Sequence, residues 1–227
     1  MNLILQSLRS SGLALLFIAT SNLAFSATVI SNGTGGGNWS SPATWANTSR
    51  TGTITTNTTS TAVTGVGTSF LTELSVGSVI KTTGDVVIGT VASITDNTNL
   101  TLTGNAASTN SGINYHSQGV GPGDDVLIQG GDNIVINVAN AACASIGGNN
   151  SGTGGWGLIF NAGSQLAVSG IVTVGDAGHA GSINMSAGGL LRAAGLSVSN
   201  AGTWLRGTTT GTVELTGTNP LPSTFFT

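Results

Sequence analysis

The chain has 227 residues, and glycine, threonine, serine and asparagine make up about half of them. Only 6% of the residues are charged and the formal net charge is −3, which excludes an electrostatic nucleic-acid binder because such a protein needs a basic face. Hydrophobic residues reach 39%, whereas disordered chains combine low hydrophobicity with high net charge. Since the dominant polar residues are poor helix formers and threonine, valine and isoleucine favour strands, the composition predicts an ordered all-β protein.

Residues 1–26 are typical of a secretory signal peptide. Arg9 supplies the positive charge, the apolar run at residues 12–19 is shorter than a membrane span, and Ala24-Phe25-Ser26 fits the small-x-small cleavage rule. We therefore expect a mature chain that begins at Ala27. We expect it to be secreted or displayed on the extracellular cell surface, with no membrane span after the signal is removed.

Residues 27–50 contain two of the four tryptophans. Trp39 and Trp45 lie six residues apart in a chain that is only 5% aromatic, so we expect them to be buried together and to close one end of the fold. The alternative is that an exposed tryptophan face stacks on a sugar of a surface polysaccharide. On that alternative, Trp39 and Trp45 are the candidate ligand-binding residues.

Residues 51–117 have a rhythm of their own. Short alternating apolar runs at residues 74–80, 86–94 and 100–102 are separated by glycine, asparagine and aspartate. This pattern predicts hairpins of a small antiparallel β-barrel or sandwich, inserted into the rest of the chain. The order of its motifs, beginning with Val63-Thr64-Gly65, resembles a small β-domain that recurs in phage tail fibres and bacterial surface proteins.

Residues 118–227 change to a longer period. A self-alignment at an offset of 25 places Ala162-Gly163 on Ala187-Gly188, Leu166 on Leu191 and Gly170-Ile171 on Gly195-Leu196, and a degraded third copy follows at residues 212–217. Repeats of this length mark solenoids, in which each unit buries its apolar face against its neighbours. The glycine spacing and the lack of a 3.6-residue period exclude a helical solenoid. The segment therefore predicts a right-handed parallel β-helix.

Motifs from both ends of the mature chain occur in a recognisable order. The run Gly36-Gly37-Asn38-Trp39, the turn Gly123-Asp124-Asp125 and the turn Ala162-Gly163-Ser164 together resemble the N-terminal cap and first coils of large β-helical bacterial surface proteins. The resemblance implies export by type IX secretion and a cap, here residues 27–50, akin to the glycine-rich G8 domain. The insertion interrupts a link that is usually short, and we expect no C-terminal sorting domain in this sequence. We expect either a fragment of such a protein or a small relative that assembles end to end.

Asp124, Asp125 and Asp132 form the acidic cluster of the sequence. All three fall at turns before predicted strands, where aspartate commonly accepts hydrogen bonds from nearby main-chain N–H groups. The alternative is a calcium site formed by carboxylate and carbonyl oxygens. No base and no hydrolase motif accompanies the cluster, so we expect no cofactor and no enzyme activity.

The remaining reactive residue is the single cysteine. Cys143 lies between two alanines in an apolar stretch, which predicts a small buried side chain rather than a catalytic thiolate.

The end of the chain predicts self-association. Leu215 lies in the last recognisable strand, and Phe225 and Phe226 follow in an uncharged, apolar terminus. A strand edge with few charges is a template for another chain, and head-to-tail joining gives a filament. The sequence therefore favours an exported structural or adhesive surface protein, with a carbohydrate-binding or polysaccharide-cleaving β-helix as the alternative.

Overall fold

The structure, a computed structural model, describes residues 27–200, 203–205 and 211–218. The predicted signal peptide, Phe225 and Phe226 lie outside the described residues. Of the described residues, 53% lie in strands and 4% in helices, which confirms the all-β prediction. It consists of a parallel β-solenoid of about three turns and an antiparallel sheet. Among the described residues, no helix has the length and apolar character needed to cross a membrane.

The described residues form twenty strands and two short helices. The first ten strands are β1 (Thr28–Ile30), β2 (Gly36–Asn38), β3 (Thr48–Ser49), β4 (Thr53–Thr56), β5 (Ala62–Val66), β6 (Val79–Thr82), β7 (Val87–Ile94), β8 (Asn99–Leu102), β9 (Asn110–Ile113) and β10 (Tyr115–Gln118). The helices are a 3-10 turn at Pro42–Thr44 and α1 (Phe70–Glu73). The remaining strands are β11 (Asp125–Gly130), β12 (Asn133–Ile136), β13 (Ala141–Cys143), β14 (Ser145–Gly152), β15 (Trp156–Phe160), β16 (Gln165–Val174), β17 (Gly181–Asn184), β18 (Leu190–Val198), β19 (Thr203–Leu205) and β20 (Thr212–Leu215).

The solenoid is built from two stacks of parallel strands. One sheet has the order β1-β11-β14-β16-β18-β20, with β13 also paired to β16, and the other has the order β2-β12-β15-β17-β19. Successive coils place like residues in register, so Ile134, Leu158 and Ile183 are partners on β12, β15 and β17. All three are fully buried. This internal ladder of branched apolar side chains holds neighbouring coils together.

The predicted repeat is confirmed in register, with one correction. Leu166 pairs with Leu191, as the offset of 25 predicts, but Ile171 pairs with Gly195 and Val172 with Leu196. The self-alignment, which places Ile171 on Leu196, is therefore wrong by one residue at this position. The cause is a register shift after Val168, where β16 carries one residue more than β18. A bulge of this kind cannot be read from a constant sequence offset.

The insertion forms the antiparallel sheet. Its order is β3-β10-β6-β7-β8-β5-β4-β9, and it encloses a hydrophobic cluster of its own that includes Phe70, Ile80 and Tyr115. The solenoid core is a separate cluster. The sheet begins at Thr48 and ends at Gln118, a few residues outside the predicted bounds of 51–117.

The N-terminal end of the solenoid is covered by the chain itself. After β2 the backbone turns back, and Trp45 forms an antiparallel bridge with Ser31 at the end of β1. Ala46 N donates to the Ile30 carbonyl at 2.9 Å, and Asn32 N donates to the Thr44 carbonyl at 3.0 Å. Because these bonds use the outer edge of β1 at its C-terminal end, that part of the edge is not open for pairing with another strand.

Candidate functional site

The two predicted ligand-binding tryptophans pack against each other inside the fold. Trp45 is fully buried and Trp39 is 6% exposed, and their rings meet edge to face at a centroid distance of 5.2 Å. Trp45 Nε1 donates to the Trp39 carbonyl at 2.9 Å. The prediction that they are buried together is confirmed. Neither ring presents an open face on which a sugar could stack.

Asp124, the first candidate metal ligand, lies in a buried ion pair. Arg50 Nη1 donates to its Oδ1 at 2.6 Å and Arg50 Nη2 to its Oδ2 at 3.0 Å, and neither side chain is exposed. Gly121 N donates to the same carboxylate at 2.7 Å. Arg50 also donates from Nε to Ser117 Oγ at 2.7 Å and from Nη2 to the Gly119 carbonyl at 3.0 Å. Asp124 therefore neutralises the arginine at the point where the chain leaves and re-enters the solenoid.

The other two candidate ligands are engaged elsewhere. Asp132 is fully buried and accepts hydrogen bonds from Gly33 N at 2.9 Å and Gly35 N at 2.8 Å, so it ties the loop after β1 to the next coil. Asp125 accepts a hydrogen bond from the Ser145 hydroxyl. No group of three His, Cys, Asp or Glu side chains that could hold a metal ion occurs among the described residues. The carboxylates of Asp124 and Asp132 therefore accept hydrogen bonds from main-chain N–H groups at turns, and that of Asp124 also pairs with Arg50.

Cys143 is a core residue. Its side chain is 1% exposed, and burial raises the pKa of the thiol well above its ordinary value. Because the thiolate is the nucleophilic form, this environment keeps the group inert, and the prediction of a small buried side chain is confirmed.

A second polar cluster was not singled out from the sequence. Asp176 accepts hydrogen bonds from the main-chain N–H groups of Gly178, His179 and Asn150 at 2.8–3.1 Å, and its Oδ1 lies 3.0 Å from the Nδ1 of His179. Burial opposes ionisation of Asp176, but the three N–H donors outweigh it, so its pKa lies below the ordinary value. The only local signal is the turn Asp176-Ala177-Gly178, and the partner Asn150 comes from the preceding coil.

The insertion is seated closely on the solenoid. Gly123 N, just before β11 of the solenoid, donates to the Thr72 carbonyl of the insertion at 2.7 Å. Within the insertion, the neighbouring buried Glu73 carboxylate accepts hydrogen bonds from the main chain and the hydroxyl of Thr51. A Cβ at Gly121 would lie 2.3 Å from the main-chain carbon of Glu73. The approach of α1 to this segment therefore requires glycine.

A cleft of about 230 Å³ opens beside this junction. Its lining includes Ser75 and Val76 from the loop after α1, Val138 and Asn140 from the solenoid, and Trp39. None of the residues that line it is charged. The sequence does not predict this cleft, because the segments that line it are remote from one another along the chain.

A smaller depression of about 110 Å³ continues from the cleft along the solenoid. The two share Asn140, Ala141 and Ala142. The side chains of Ala142, Ala167 and Arg192 are successive partners in register on the outer surface. Two alanines in a row leave a shallow floor, which ends where Arg192 pairs with Glu214 at 2.9 Å.

The predicted self-association residue that the structure describes is Leu215. It is half-buried on β20 and packs against the solenoid core. Within the described part of the chain, β20 is the last strand of its sheet.

Comparison with known proteins adds no relative. The chain matches no family model, no curated protein and no solved structure. Of the resemblance drawn from the sequence, the β-solenoid of about three turns is confirmed by the structure. The type IX and G8 parts of that resemblance stay predictions.

Proposed function

We propose that this protein is an exported structural or adhesive protein of the cell surface, whose β-solenoid self-associates through its C-terminal coil. We propose no catalytic role for it. The observation that carries the proposal is the difference between the two ends of one sheet. At one end the C-terminal part of the β1 edge is paired with the returning segment around Trp45, whereas at the other β20 is the last described strand.

The difference between the β1 end and the β20 end limits which ends of two chains can pair. The filament expected from the sequence needs an end that donates a strand edge and an opposite end that accepts it. Since part of the β1 edge is already used, we propose that two C-terminal coils meet instead, with β20 of one chain against β20 of another. Such a contact uses the same surface on both chains and closes as a dimer.

Sedimentation of the mature chain tests the assembly. Wild-type protein should dimerise, and salt should change the dimerisation constant little because the contact is mainly main-chain pairing and apolar. Leu215→Lys should abolish it by placing an unpaired charge in the terminal coil. Thr212→Lys is the matched control, because Thr212 is exposed on the same strand. Fibres would support self-association but contradict pairing of two C-terminal ends, and a monomer at all concentrations would contradict both.

Export is tested separately. Expressed with its own N-terminus in a bacterium, the chain should be recovered outside the cytoplasm with Ala27 as its first residue, as mass spectrometry would show. Ser26→Gln should block cleavage, because the position before the cut requires a small residue. Recovery of the uncleaved chain from the cytoplasm would contradict the signal-peptide prediction.

A further inference from the structure

The cleft at the junction has the composition of a site for an uncharged ligand. Val76, Val120 and Val138 supply apolar surface, and Ser40, Ser75 and Asn140 supply hydroxyl and amide groups around it. The Ser75 hydroxyl is held by donation to the Val120 carbonyl at 2.8 Å, which leaves its oxygen free to accept a further hydrogen bond. Apolar walls with a few placed polar groups are typical of small-molecule sites.

The charged groups near the cleft are already engaged within the protein. Arg50 and Asp124 are buried against each other, and the Glu73 carboxylate is buried and bound to Thr51. At the far end of the depression, the Arg192 guanidinium donates twice to Glu214. A charged ligand would therefore lose its hydration without gaining a counter-charge, so the lining selects against uronic acids, phosphates and charged peptides.

The shape favours an extended ligand. The cleft and the depression share their central residues, and each is smaller than the roughly 300–1,000 Å³ of typical ligand pockets. A ligand that fills both must be a chain whose successive units occupy the two in turn. Sugar rings carry apolar C–H faces and neutral hydroxyl groups, which match the apolar walls and the hydroxyl and amide groups of this surface.

We propose that the cleft and the adjoining depression bind a neutral oligosaccharide, with the alanines of the outer ladder as the floor beneath successive sugar units. The proposal names a partner for the adhesive role and rests on that proposed function, but it does not depend on self-association. It also replaces the sequence-based expectation of sugar stacking on Trp39 and Trp45 with a site that Trp39 lines although it is only 6% exposed.

Titration with defined sugars tests the site. The mature chain is titrated, by calorimetry and saturation-transfer NMR, with linear glucan, xylan, mannan and chitin oligosaccharides of increasing length, and with oligogalacturonate as the charged comparison. At least one neutral series should bind, more tightly as the chain lengthens, and oligogalacturonate should bind at least about tenfold more weakly. The same titrations on Leu215→Lys protein separate sugar binding from any loss of self-association.

Variants locate the binding. Ala142→Phe should weaken binding by about tenfold or more, because it fills the region shared by the cleft and the depression. Ala167→Phe should weaken binding of the longer oligosaccharides and leave the shortest unchanged. Ser197→Phe is the matched control, since Ser197 is an exposed strand residue that lines neither cavity.

Asn140→Ala is a milder second variant on an exposed position and should also weaken binding, without any bulk that could disturb folding. Several results would overturn the proposal: no neutral oligosaccharide binds, oligogalacturonate binds as tightly as the neutral series, or Ala142→Phe and Asn140→Ala bind like Ser197→Phe and the wild type.

Discussion

The solenoid and the insertion bury their apolar side chains in different ways. In the solenoid, partners such as Leu166 and Leu191 are a whole coil apart in sequence, and a single coil has no core of its own. In the insertion, β4 and β5 pair as a local hairpin, with Thr53 opposite Val66. Nearby hairpins can form early and fold alone, whereas coils depend on their neighbours. One chain of uniform composition is therefore stabilised in two ways, by contacts between successive coils in the solenoid and by local hairpins in the insertion.

The two regions meet at a charged contact although both have apolar cores. Arg50 and Asp124 flank the insertion and are 0% exposed. Arg50 follows β3 of the antiparallel sheet and Asp124 precedes β11 of the solenoid, so the pair joins the two regions. The Ser117 hydroxyl of the insertion also accepts a hydrogen bond from Arg50. The following predictions test how far the two regions depend on each other and on this contact.

The largest loss in the free energy of unfolding is expected from Asp124→Ala. This change leaves the Arg50 guanidinium buried without its counter-charge, which should lower the free energy of unfolding by about 3–5 kcal/mol. Glu214→Ala is the control, because it removes an exposed ion pair worth about 0–1 kcal/mol. Urea unfolding measures both. Equal losses would contradict a structural role for the buried pair.

The next largest losses in the free energy of unfolding are expected from matched truncations in the two cores. Leu158→Ala in the solenoid and Ile80→Ala in the insertion each remove a fully buried side chain, at an expected cost of about 2–5 kcal/mol. If the cores are independent, hydrogen exchange should show that Ile80→Ala destabilises strands of the insertion while those of the solenoid stay protected, and the reverse for Leu158→Ala. Loss of protection in both regions from either variant would mean one cooperative unit.

Asp176→Asn tests the hydrogen-bonded turn of the solenoid. The amide replaces a carboxylate that accepts three main-chain hydrogen bonds, and the loss should be about 1–3 kcal/mol at neutral pH. Because the folded pKa of Asp176 is lowered, its contribution is complete above the unfolded pKa of about 4 and is lost as the pH falls through the folded pKa. The gap between variant and wild type should therefore shrink below about pH 4. A gap that is constant with pH would contradict this account.

Deletion of residues 51–117, with the flanks joined, should have the smallest effect on the solenoid. Both members of the Arg50–Asp124 pair stay in the shortened chain, and the solenoid cluster contains no residue of the deleted segment. Circular dichroism should show a β-protein with a cooperative unfolding transition. Loss of that transition would show that the insertion belongs to the main core.

Much of the fold followed from local pattern. The 25-residue repeat predicts the pairing of Leu166 with Leu191, and the alternating runs of the insertion predict its hairpins, because side-chain direction alternates along a strand and burial selects the apolar side. The burial of Trp39 against Trp45 also follows from their local spacing. The bulge after Val168 does not follow from local pattern, since one extra residue leaves the hydrophobic pattern on both sides intact.

The sequence by itself determined that this chain is all-β, that its C-terminal half stacks in coils and that an antiparallel domain interrupts it. These properties repeat every two residues or every coil, so they can be read locally. Only the tertiary structure decided that Asp124 neutralises Arg50, that the C-terminal end of the β1 edge is covered, and that an uncharged cleft lies between the two regions. Such contacts join segments that are remote in sequence, and their partners are selected by packing in three dimensions rather than by any periodic pattern along the chain.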